Sequence, residues 1–344
     1  MNTSNEKGNY LFPKRYTNYV FILLFLLYMF DYIDRVVVTS MFTSIERDLG
    51  ISHTQSGMLV SAVYWSIVLL TFPVSILVDR WSRRKTIAIM SVLWSLATVL
   101  CAFTGTFTQL FLARMLVGVG EAGYAPGGTA MISGMYPEDK RAKVMGLWNA
   151  SIPMGTAIGI LLGGIIATHW GWRHGFGLVA LPGLIVAVAF FFIKDYKTVD
   201  LSYSDASHHK VKMHFKDILK EFLTKPSLIL TYFGMAAVVF VTTSMITWLS
   251  SYFEVTRGLA PGKAGTMSSM VMGLAIVGAP VGGYLADRWR KRNVKARLLF
   301  PTFSTFLASV FLFVALFFAT GLFQYILLLC FGVVITMFVS AAAA

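Results

Sequence analysis

The sequence is poor in charged residues and in cysteine. Charged side chains make up 13% of its 344 residues, well below the roughly 25% of a soluble globular domain. Two cysteines occur, Cys101 and Cys330, and both stand in apolar stretches. They are interpreted as small apolar residues, because a disulfide framework needs more cysteines at polar, loop-rich positions. The composition therefore excludes an ordinary soluble domain and a disulfide-stapled scaffold.

Apolar residues make up 56% of the chain and are gathered in long runs. A helix needs about 20 mostly apolar residues to cross a hydrocarbon core about 30 Å thick. The runs are long and do not alternate, which favours helices over barrel strands. We predict ten membrane-spanning helices, at residues 18–43, 55–78, 84–104, 108–135, 142–168, 174–194, 227–253, 264–286, 297–319 and 322–344.

The formal net charge of +13 is distributed unevenly. When the segments between predicted spans are assigned to alternate sides, most Lys and Arg fall on the side of the N-terminus, while Arg35 and Arg114 lie inside spans. This asymmetry predicts a cytoplasmic N-terminus in a multi-pass protein of the plasma (inner) membrane. Since topology explains the basic charge, we expect the lipid bilayer, and no nucleic acid, as a partner.

A polar segment divides the predicted spans into six and four. We predict an N-terminal bundle at 1–194, a cytoplasmic linker at 195–226 and a C-terminal bundle at 227–344. The stretch SILVDRWSRRK near residue 75 is echoed by GYLADRWRKR near residue 283. Such internal repeats predict two halves of six helices. The chain ends in SAAAA after the tenth span, so we expect it to be truncated at its C-terminus.

The repeated element carries charges that suit a conformational latch. An aspartate at a helix end beside arginines makes charge-assisted bonds to a neighbouring helix, and such bonds exchange when helices move. Positive charge that only fixes topology is the simpler alternative. The candidate latch residues are Asp79, Arg80, Arg83, Arg84, Asp287 and Arg288.

The pattern S-x-x-x-D-R-x-S-R-R-K at 75–85 resembles the signature of the major facilitator superfamily, usually written G-x-x-x-D-R-x-G-R-R. Ser75 and Ser82 replace its glycines, and Gly283 keeps the first glycine in the second half. The resemblance covers the whole chain. It implies an all-α integral membrane protein with two pseudo-symmetric helical bundles, a central cavity and alternating access by rocking of the halves. About ten of the expected twelve helices would be present.

Two predicted spans carry charge at membrane depth. Span one contains DYIDR, with Asp31, Asp34 and Arg35, and span four contains Arg114 and Glu121. A charge at the bilayer centre costs about 3 kcal/mol on insertion scales, so such residues are usually functional. Asp31 and Arg35, four residues apart, are predicted to pair along one helix face. Asp34 is predicted to pair with Arg114.

The family resemblance implies roles for these charges. Asp34 and Glu121 are the candidate proton carriers, with Arg35 and Arg114 as counter-charges and anion contacts. Tyr32 is a candidate substrate contact, and a polar, aromatic strip in span seven adds Trp248. The predicted proton-coupling residues are Asp34, Glu121, Arg35, Arg114 and Asp31, and the predicted substrate-binding residues are Arg35, Tyr32, Arg114 and Trp248.

The fifth span has small residues on one face. Gly155, Gly159 and Gly163 are four residues apart and Gly164 follows, which predicts close helix contact and sliding. Pro153 is predicted to kink this helix. The pattern resembles the fifth-helix glycine motif of the superfamily, which implies a packing and gating role.

Two subfamilies resemble the chain. GVGEAGYAP and SIPMGTAIG are similar to the Spinster-like group, which is linked to lysolipid-like amphiphiles. WLSSYFEVTRGL resembles W-L-P-x-Y-L of the anion:cation symporters, with Ser250 in place of proline. Those symporters often carry Tyr, Gln and Gln where Ile67, Thr71 and Ile152 stand here. We favour a Spinster-like transporter, with an organic-anion or sugar-acid:proton symporter as the alternative.

The sequence therefore predicts a proton-coupled secondary active transporter that moves a small organic or amphiphilic solute, anionic or not, by alternating access. We expect a monomer whose ligands are protons and a small-molecule substrate, without metal or cofactor. A transporter-like sensor or scaffold that no longer transports is the alternative from another class. The sequence does not contain H-E-x-x-H or a Ser/His constellation, so we predict no enzymatic activity.

Overall fold

A computed structural model describes residues 10–195, 224, 226–293 and 296–338, and this part of the chain is helical almost throughout and contains no β-strand. A 3₁₀ turn, Val38–Met41, separates α1 from α2. The helices are α1 (Lys14–Val37), α2 (Phe42–Leu49), α3 (His53–Arg80), α4 (Arg83–Cys101), α5 (Phe107–Glu121), α6 (Tyr124–Met135), α7 (Glu138–Asn149), α8 (Ser151–His169), α9 (Trp172–Phe190), α10 (Pro226–Arg257), α11 (Pro261–Gly273), α12 (Ala275–Arg290), α13 (Ala296–Phe317) and α14 (Gly321–Val334).

The outer surface of the helices is apolar. Phe103, Phe192 and Phe72 are each at least 75% exposed. Such exposure of large apolar side chains is unfavourable in water and favourable in contact with lipid. Nine of the ten predicted spans fall on helices of the described part, and the tenth does so as far as residue 338, while 339–344 and residues 196–223 and 225 of the predicted linker lie outside it. Within this described part, seven helical segments are long and apolar enough to cross a membrane: His53–Val78, Arg83–Cys101, Glu138–His169, Trp172–Phe190, Tyr232–Arg257, Pro261–Arg290 and Leu299–Phe317.

Proline interrupts two of the predicted spans. Pro126 in α6 and Pro153 in α8 cannot donate a backbone hydrogen bond, and each ring crowds the carbonyl group four residues earlier. Those earlier residues, Ala122 and Asn149, lie at the α5–α6 and α7–α8 junctions. Span four therefore consists of α5 and α6, and span five of α7 and α8.

Most buried apolar side chains of the described residues form two large clusters that follow the two halves of the sequence, and Ala286 and Phe300 form a small third one. The first draws its members from residues 20–193 and includes Leu24, Trp94 and Phe176. The second lies mainly within residues 238–338 and includes Phe331. Val36 of the first half packs in the second cluster, so the halves share buried surface where α1 ends.

The two halves meet closely where α8 crosses α11. A Cβ atom built on Gly164 would lie 2.6 Å from the carbonyl oxygen of Pro261 and 3.1 Å from the Cα atom of Gly265. The backbone N–H of Gly262 donates to the hydroxyl of Thr168 over 2.8 Å. The two backbones thus touch with almost no side chain between them, as small residues permit.

A second contact between the halves lies at the end of the bundle opposite the N-terminus. The hydroxyl of Thr43 donates to the carboxylate of Glu254. The Phe42 and Trp248 rings are 5.2 Å apart, and the His53 ring meets the same Trp248 edge-on at 6.4 Å. We call this group of five residues the far-end closure.

Asp48, at the end of α2, is held by donors from α9. It accepts bonds from the Arg173 guanidinium and, over 3.1 Å, from the Trp172 indole N–H. These donors lower the pKa of Asp48 from its ordinary value. The carboxylate therefore stabilises the fold above its unfolded pKa of about 3.9, and this contribution is lost as the pH falls through the lower, folded pKa.

We predict that Asp48→Asn lowers the unfolding temperature slightly at pH 7. The pair is half exposed, so water screens it and its contribution is below about 1 kcal/mol. The difference from wild type shrinks as the pH is lowered below 4. Thermal unfolding in detergent across this pH range is the measurement, and a difference that stays constant with pH contradicts the assignment.

Candidate functional site

Five charged residues come together inside the first half. Asp31, Asp34 and Arg35 lie in the last two turns of α1, and Arg114 and Glu121 face them from α5. The four residues other than Arg35 are at most 3% exposed, and the Arg35 side chain is 11% exposed. We call this group the charge cluster. Its buried charges need partners, because charge in a low-dielectric interior is costly.

Arg35 bridges two carboxylates. Its Nη2 atom lies 2.8 Å from Asp31 Oδ2 and 2.9 Å from Glu121 Oε2, and its Nε donates to the same Glu121 oxygen over 3.1 Å. The pair with Asp31 follows from the four-residue spacing, whereas the pair with Glu121 joins two helices. The other oxygen of each carboxylate, Asp31 Oδ1 and Glu121 Oε1, receives no hydrogen bond within the described residues.

The predicted ion pair between Asp34 and Arg114 is wrong. The Arg114 guanidinium donates to the backbone carbonyl oxygens of Asp34 (3.0 Å), Arg35 (2.9 Å) and Leu59 (3.4 Å). Carbonyl groups in the last turn of a helix lack donors within the helix and form the negative end of its dipole. Arg114 therefore caps the end of α1, and its charge is spread over backbone acceptors.

The carboxylate of Asp34 has a different environment. Its Oδ2 atom lies 3.2 Å from the hydroxyl of Thr98 on α4. Its Oδ1 atom is buried and receives no bond from any described residue. Asp34 is thus an acid whose side chain is held by one neutral hydroxyl. No pattern in the sequence points to Thr98, because it is a lone threonine in an apolar helix.

Aromatic rings extend from Arg35 into a cavity. The guanidinium lies over the Tyr32 ring at 4.7 Å and the Tyr64 ring at 5.5 Å, which is within cation–π range. Tyr32 contacts Tyr28 edge-on at 5.4 Å, and Tyr28 stacks on Trp148 at 4.3 Å. A cavity of about 580 Å³, which we call the vestibule, is lined by Tyr28, Ser75, Val78, Ala125, Pro126, Thr129, Ala130, Met145, Trp148 and Asn149.

Trp248, a predicted substrate contact, lies in the far-end closure. It also lines a second cavity of about 650 Å³ between α3 and α10, together with Thr243, Ser244 and Thr247 of the predicted polar strip. Tyr64 lines the same cavity and is also a ring neighbour of Arg35. The strip of span seven is therefore connected to the charge cluster through Tyr64.

The candidate latch residues fall in two places. Arg83 donates to the carbonyl of Ala130 over 3.2 Å, and Arg84 to that of Ile193 over 2.7 Å. Both bonds connect the start of α4 to later segments of the same half of the chain. The side chains of Asp79 and Arg80 lie outside the described residues. Asp287 and Arg288 line a groove at the end of α12 together with Tyr284, Lys291 and Arg292.

The glycines of α8 face two different helices. Cβ atoms built on Gly155 and Gly159 would meet α1 at Met29 and at Ile33 and Val36, and one built on Gly163 would meet Val37 of α1 and Ser40 of the 3₁₀ turn that follows. One face of α8 thus supports the helix that carries Asp31, Asp34 and Arg35. Gly164 faces α11 in the other half. Among the described residues, no group of three or more His, Cys, Asp or Glu side chains is placed to hold a metal ion.

Comparison with known proteins relates this arrangement to transporters. The sequence model described as Major Facilitator Superfamily matches residues 24–344. The chain is 28% identical over 282 residues to the hexuronate transporter of Bacillus subtilis (strain 168), covering 82% of this chain and 67% of that protein. It is 28% identical over 326 residues to protein spinster homolog 1 of Xenopus tropicalis, covering 89% and 61%. The chain thus spans 61–67% of the lengths of these two curated relatives.

A solved structure shares the fold. It is an inward-facing, unoccupied bacterial homolog of the human lysosomal transporter Spinster, with a TM-score of 0.81 and 23% identity over 96% of this chain and 75% of that one. The predicted all-α major facilitator fold is confirmed by this similarity and by the family match. The matches also include both groups that the sequence resembles, Spinster proteins and sugar-acid transporters.

Proposed function

The chain belongs to the Major Facilitator Superfamily, and on that premise we propose that it is a proton-coupled secondary active transporter for a small organic or amphiphilic solute. Its relatives are transporters and not enzymes. The observation that carries the proposal is the sharing of Arg35 between Asp31 and Glu121 inside the bundle. A purely structural bridge would not need a third acid, Asp34, without a cation on its side chain.

Charge balance within the cluster links proton binding to substrate binding. With all five residues ionised, three carboxylates outnumber two guanidinium groups, so an anionic substrate is repelled. When Glu121 or Asp31 is protonated, its carboxyl group loses its negative charge and its ion pair with Arg35 weakens. In an ion pair each charge stabilises the ionised form of the other. Arg35 then donates hydrogen bonds to the anionic group of a substrate in place of a carboxylate, and the aromatic rings contact the apolar part.

Alternating access requires the far-end closure to open while the opposite end closes. We propose that the N-terminal bundle (1–194) and the C-terminal bundle (227–344), joined by the linker at 195–226, rock about the crossing of α8 and α11. The charge-assisted bond between Thr43 and Glu254 holds the far end shut. We further propose a monomer in the plasma (inner) membrane, with its N-terminus in the cytoplasm and the repeated D-R-W elements as latches.

The residues that line the vestibule favour an amphiphilic substrate. Its stacked Tyr28–Trp148 pair and Met145 form an apolar wall, and its lining also includes the polar residues Ser75, Thr129 and Asn149, a mixture that is usual for a small-molecule site. The second candidate is a sugar-acid:proton symporter. The similarity to the hexuronate transporter favours it, and so does Arg35, which can bind a substrate carboxylate once Asp31 or Glu121 is protonated and releases it. Competition of a lysolipid and a hexuronate for uptake distinguishes the two.

We predict that Asp34→Asn and Glu121→Gln each uncouple uptake from protons. Reconstituted wild-type protein should accumulate substrate in response to an imposed pH gradient, and each variant should lose that response, because an amide cannot exchange a proton. Asp48→Asn is the matched control, because Asp48 is a half-exposed acid outside the charge cluster. This variant should keep the response. A full pH response in both cluster variants rules out the coupling role. Absence of transport by the wild-type protein favours a sensor or scaffold.

A further inference from the structure

Thr98 has two acceptors for one hydroxyl proton. Its Oγ1 atom lies 3.2 Å from Asp34 Oδ2 and 3.0 Å from the carbonyl oxygen of Trp94, one turn earlier in α4. The side chain is fully buried. A hydroxyl donates one hydrogen bond and accepts others. Only one of the two contacts can therefore be a bond that Thr98 donates.

Each choice fixes a different state of Asp34. If Thr98 donates to the Trp94 carbonyl, its oxygen is an acceptor for Asp34, which must then carry a proton on Oδ2. If Asp34 is a carboxylate, Thr98 turns its proton to Oδ2 and the Trp94 carbonyl loses the bond. Rotation of the Thr98 hydroxyl alone converts one hydrogen-bond arrangement into the other, so no helix has to move.

The other donors near Asp34 are already engaged. Arg35 is bonded to Asp31 and Glu121, and Arg114 is bonded to backbone carbonyls. Thr98 therefore supplies the hydrogen bond that the Asp34 side chain receives within the described residues. The titratable and charged groups that surround Asp34 are Asp31 and Arg35 on α1, Arg114 and Glu121 on α5, and Cys101 on α4.

We propose that Thr98 is a positioning residue for the transported proton. Its hydroxyl accepts the bond of protonated Asp34 and donates to Asp34 after the proton has left. This inference rests on the proposed proton coupling and adds a residue to it. No covalent bond forms or breaks except the O–H bond of Asp34, whose proton passes to water in the cavity when the site opens.

The test replaces the hydroxyl and leaves the shape. In Thr98→Val both forms of Asp34 lose a hydrogen bond, but bonds to an ionised group are about twice as strong as neutral ones. The carboxylate is therefore penalised more, and the midpoint of the pH dependence of uptake should move up by about one pH unit. Thr98→Ser keeps the hydroxyl and should restore the wild-type midpoint. In Thr98→Ala the side chain is too small to crowd its neighbours, and the midpoint should shift in the same direction as in Thr98→Val.

Ser91→Ala is the matched control. Ser91 is a fully buried hydroxyl on the same helix, and it donates over 2.7 Å to the carbonyl of Ile87. Its loss should leave the midpoint unchanged. Infrared difference spectra provide a second readout, because the C=O band of protonated Asp34, identified by its absence in Asp34→Asn, should move in Thr98→Val.

The outcomes separate the two proposals. If Asp34→Asn abolishes the pH response while Thr98→Val and Thr98→Ala keep the wild-type midpoint and infrared band, the role of Thr98 is overturned and proton coupling stands. If Asp34→Asn keeps the full pH response, the proposed function itself fails. A shift in both Thr98 variants that serine reverses supports the inference.

Discussion

Replacing Arg35 with alanine will abolish transport and lower the free energy of unfolding by about 3–5 kcal/mol. The guanidinium is the shared partner of Asp31 and Glu121, which are at most 3% exposed. Its removal leaves two buried like charges near each other, and breaking a buried pair costs more than the pair contributes. Thermal unfolding in detergent and uptake into proteoliposomes measure the two effects.

Neutralising the stranded acids separates stability from transport. The triple variant Arg35→Ala, Asp31→Asn, Glu121→Gln should recover most of the lost stability, since it removes the uncompensated charges, yet should remain inactive. Arg15→Ala, an exposed arginine at the start of α1, should resemble wild type in both assays. A triple variant no more stable than Arg35→Ala would show that Arg35 acts through packing and not through its charge.

Replacing Gly164 with valine will block the far-end closure while both bundles stay folded. The added side chain meets the Pro261 carbonyl and the Gly265 backbone of the other half, where nothing short of a shift of α11 makes room. Overpacking of this kind costs about 1–3 kcal/mol, which lowers the population of the closed form by a factor of about 5–150. Transport should fall by a similar factor.

The accessibility of Thr43→Cys to a membrane-impermeant thiol reagent reports the closure directly. Modification should be faster in the Gly164→Val background, because Thr43 is part of the far-end closure. Gly177→Val is the matched control, since a Cβ atom there meets no atom within 4 Å. Equal modification rates in both backgrounds, with reduced transport, would place the effect of Gly164 elsewhere in the cycle.

The helices and the local pairs follow from the sequence, and the long-range partners do not. Apolar runs of sufficient length locate the spans, and Pro153 is predicted to kink span five, which breaks at Asn149. The break of span four at Ala122 is not predicted, because proline also occurs inside continuous helices, as Pro73 does in α3. The Asp31–Arg35 pair is four residues apart and repeats the helical period. The bond between Arg35 and Glu121 joins residues 86 positions apart, and no local pattern encodes such a distance.

The partner of Arg114 was mispredicted for a physical reason. A sequence pattern can suggest a carboxylate side chain as the partner of an arginine. Arg114 instead bonds to backbone carbonyl groups, which every residue carries, so the sequence does not mark them. Which carbonyls are free depends on where α1 ends, and helix ends are the least predictable feature of a sequence. No sequence pattern predicts the stacking of Tyr28 on Trp148, because these residues lie on separate helices.

The bonds of Arg114 have a consequence for how the protein enters the membrane. All three of its acceptors belong to Asp34, Arg35 and Leu59, which precede it in the chain. A nascent chain emerges with its N-terminus first, so α1 and α3 reach the bilayer before α5. The cation of Arg114 therefore arrives where its acceptors are already present. Order of synthesis thus supplies the solvation that a lone arginine would lack in lipid.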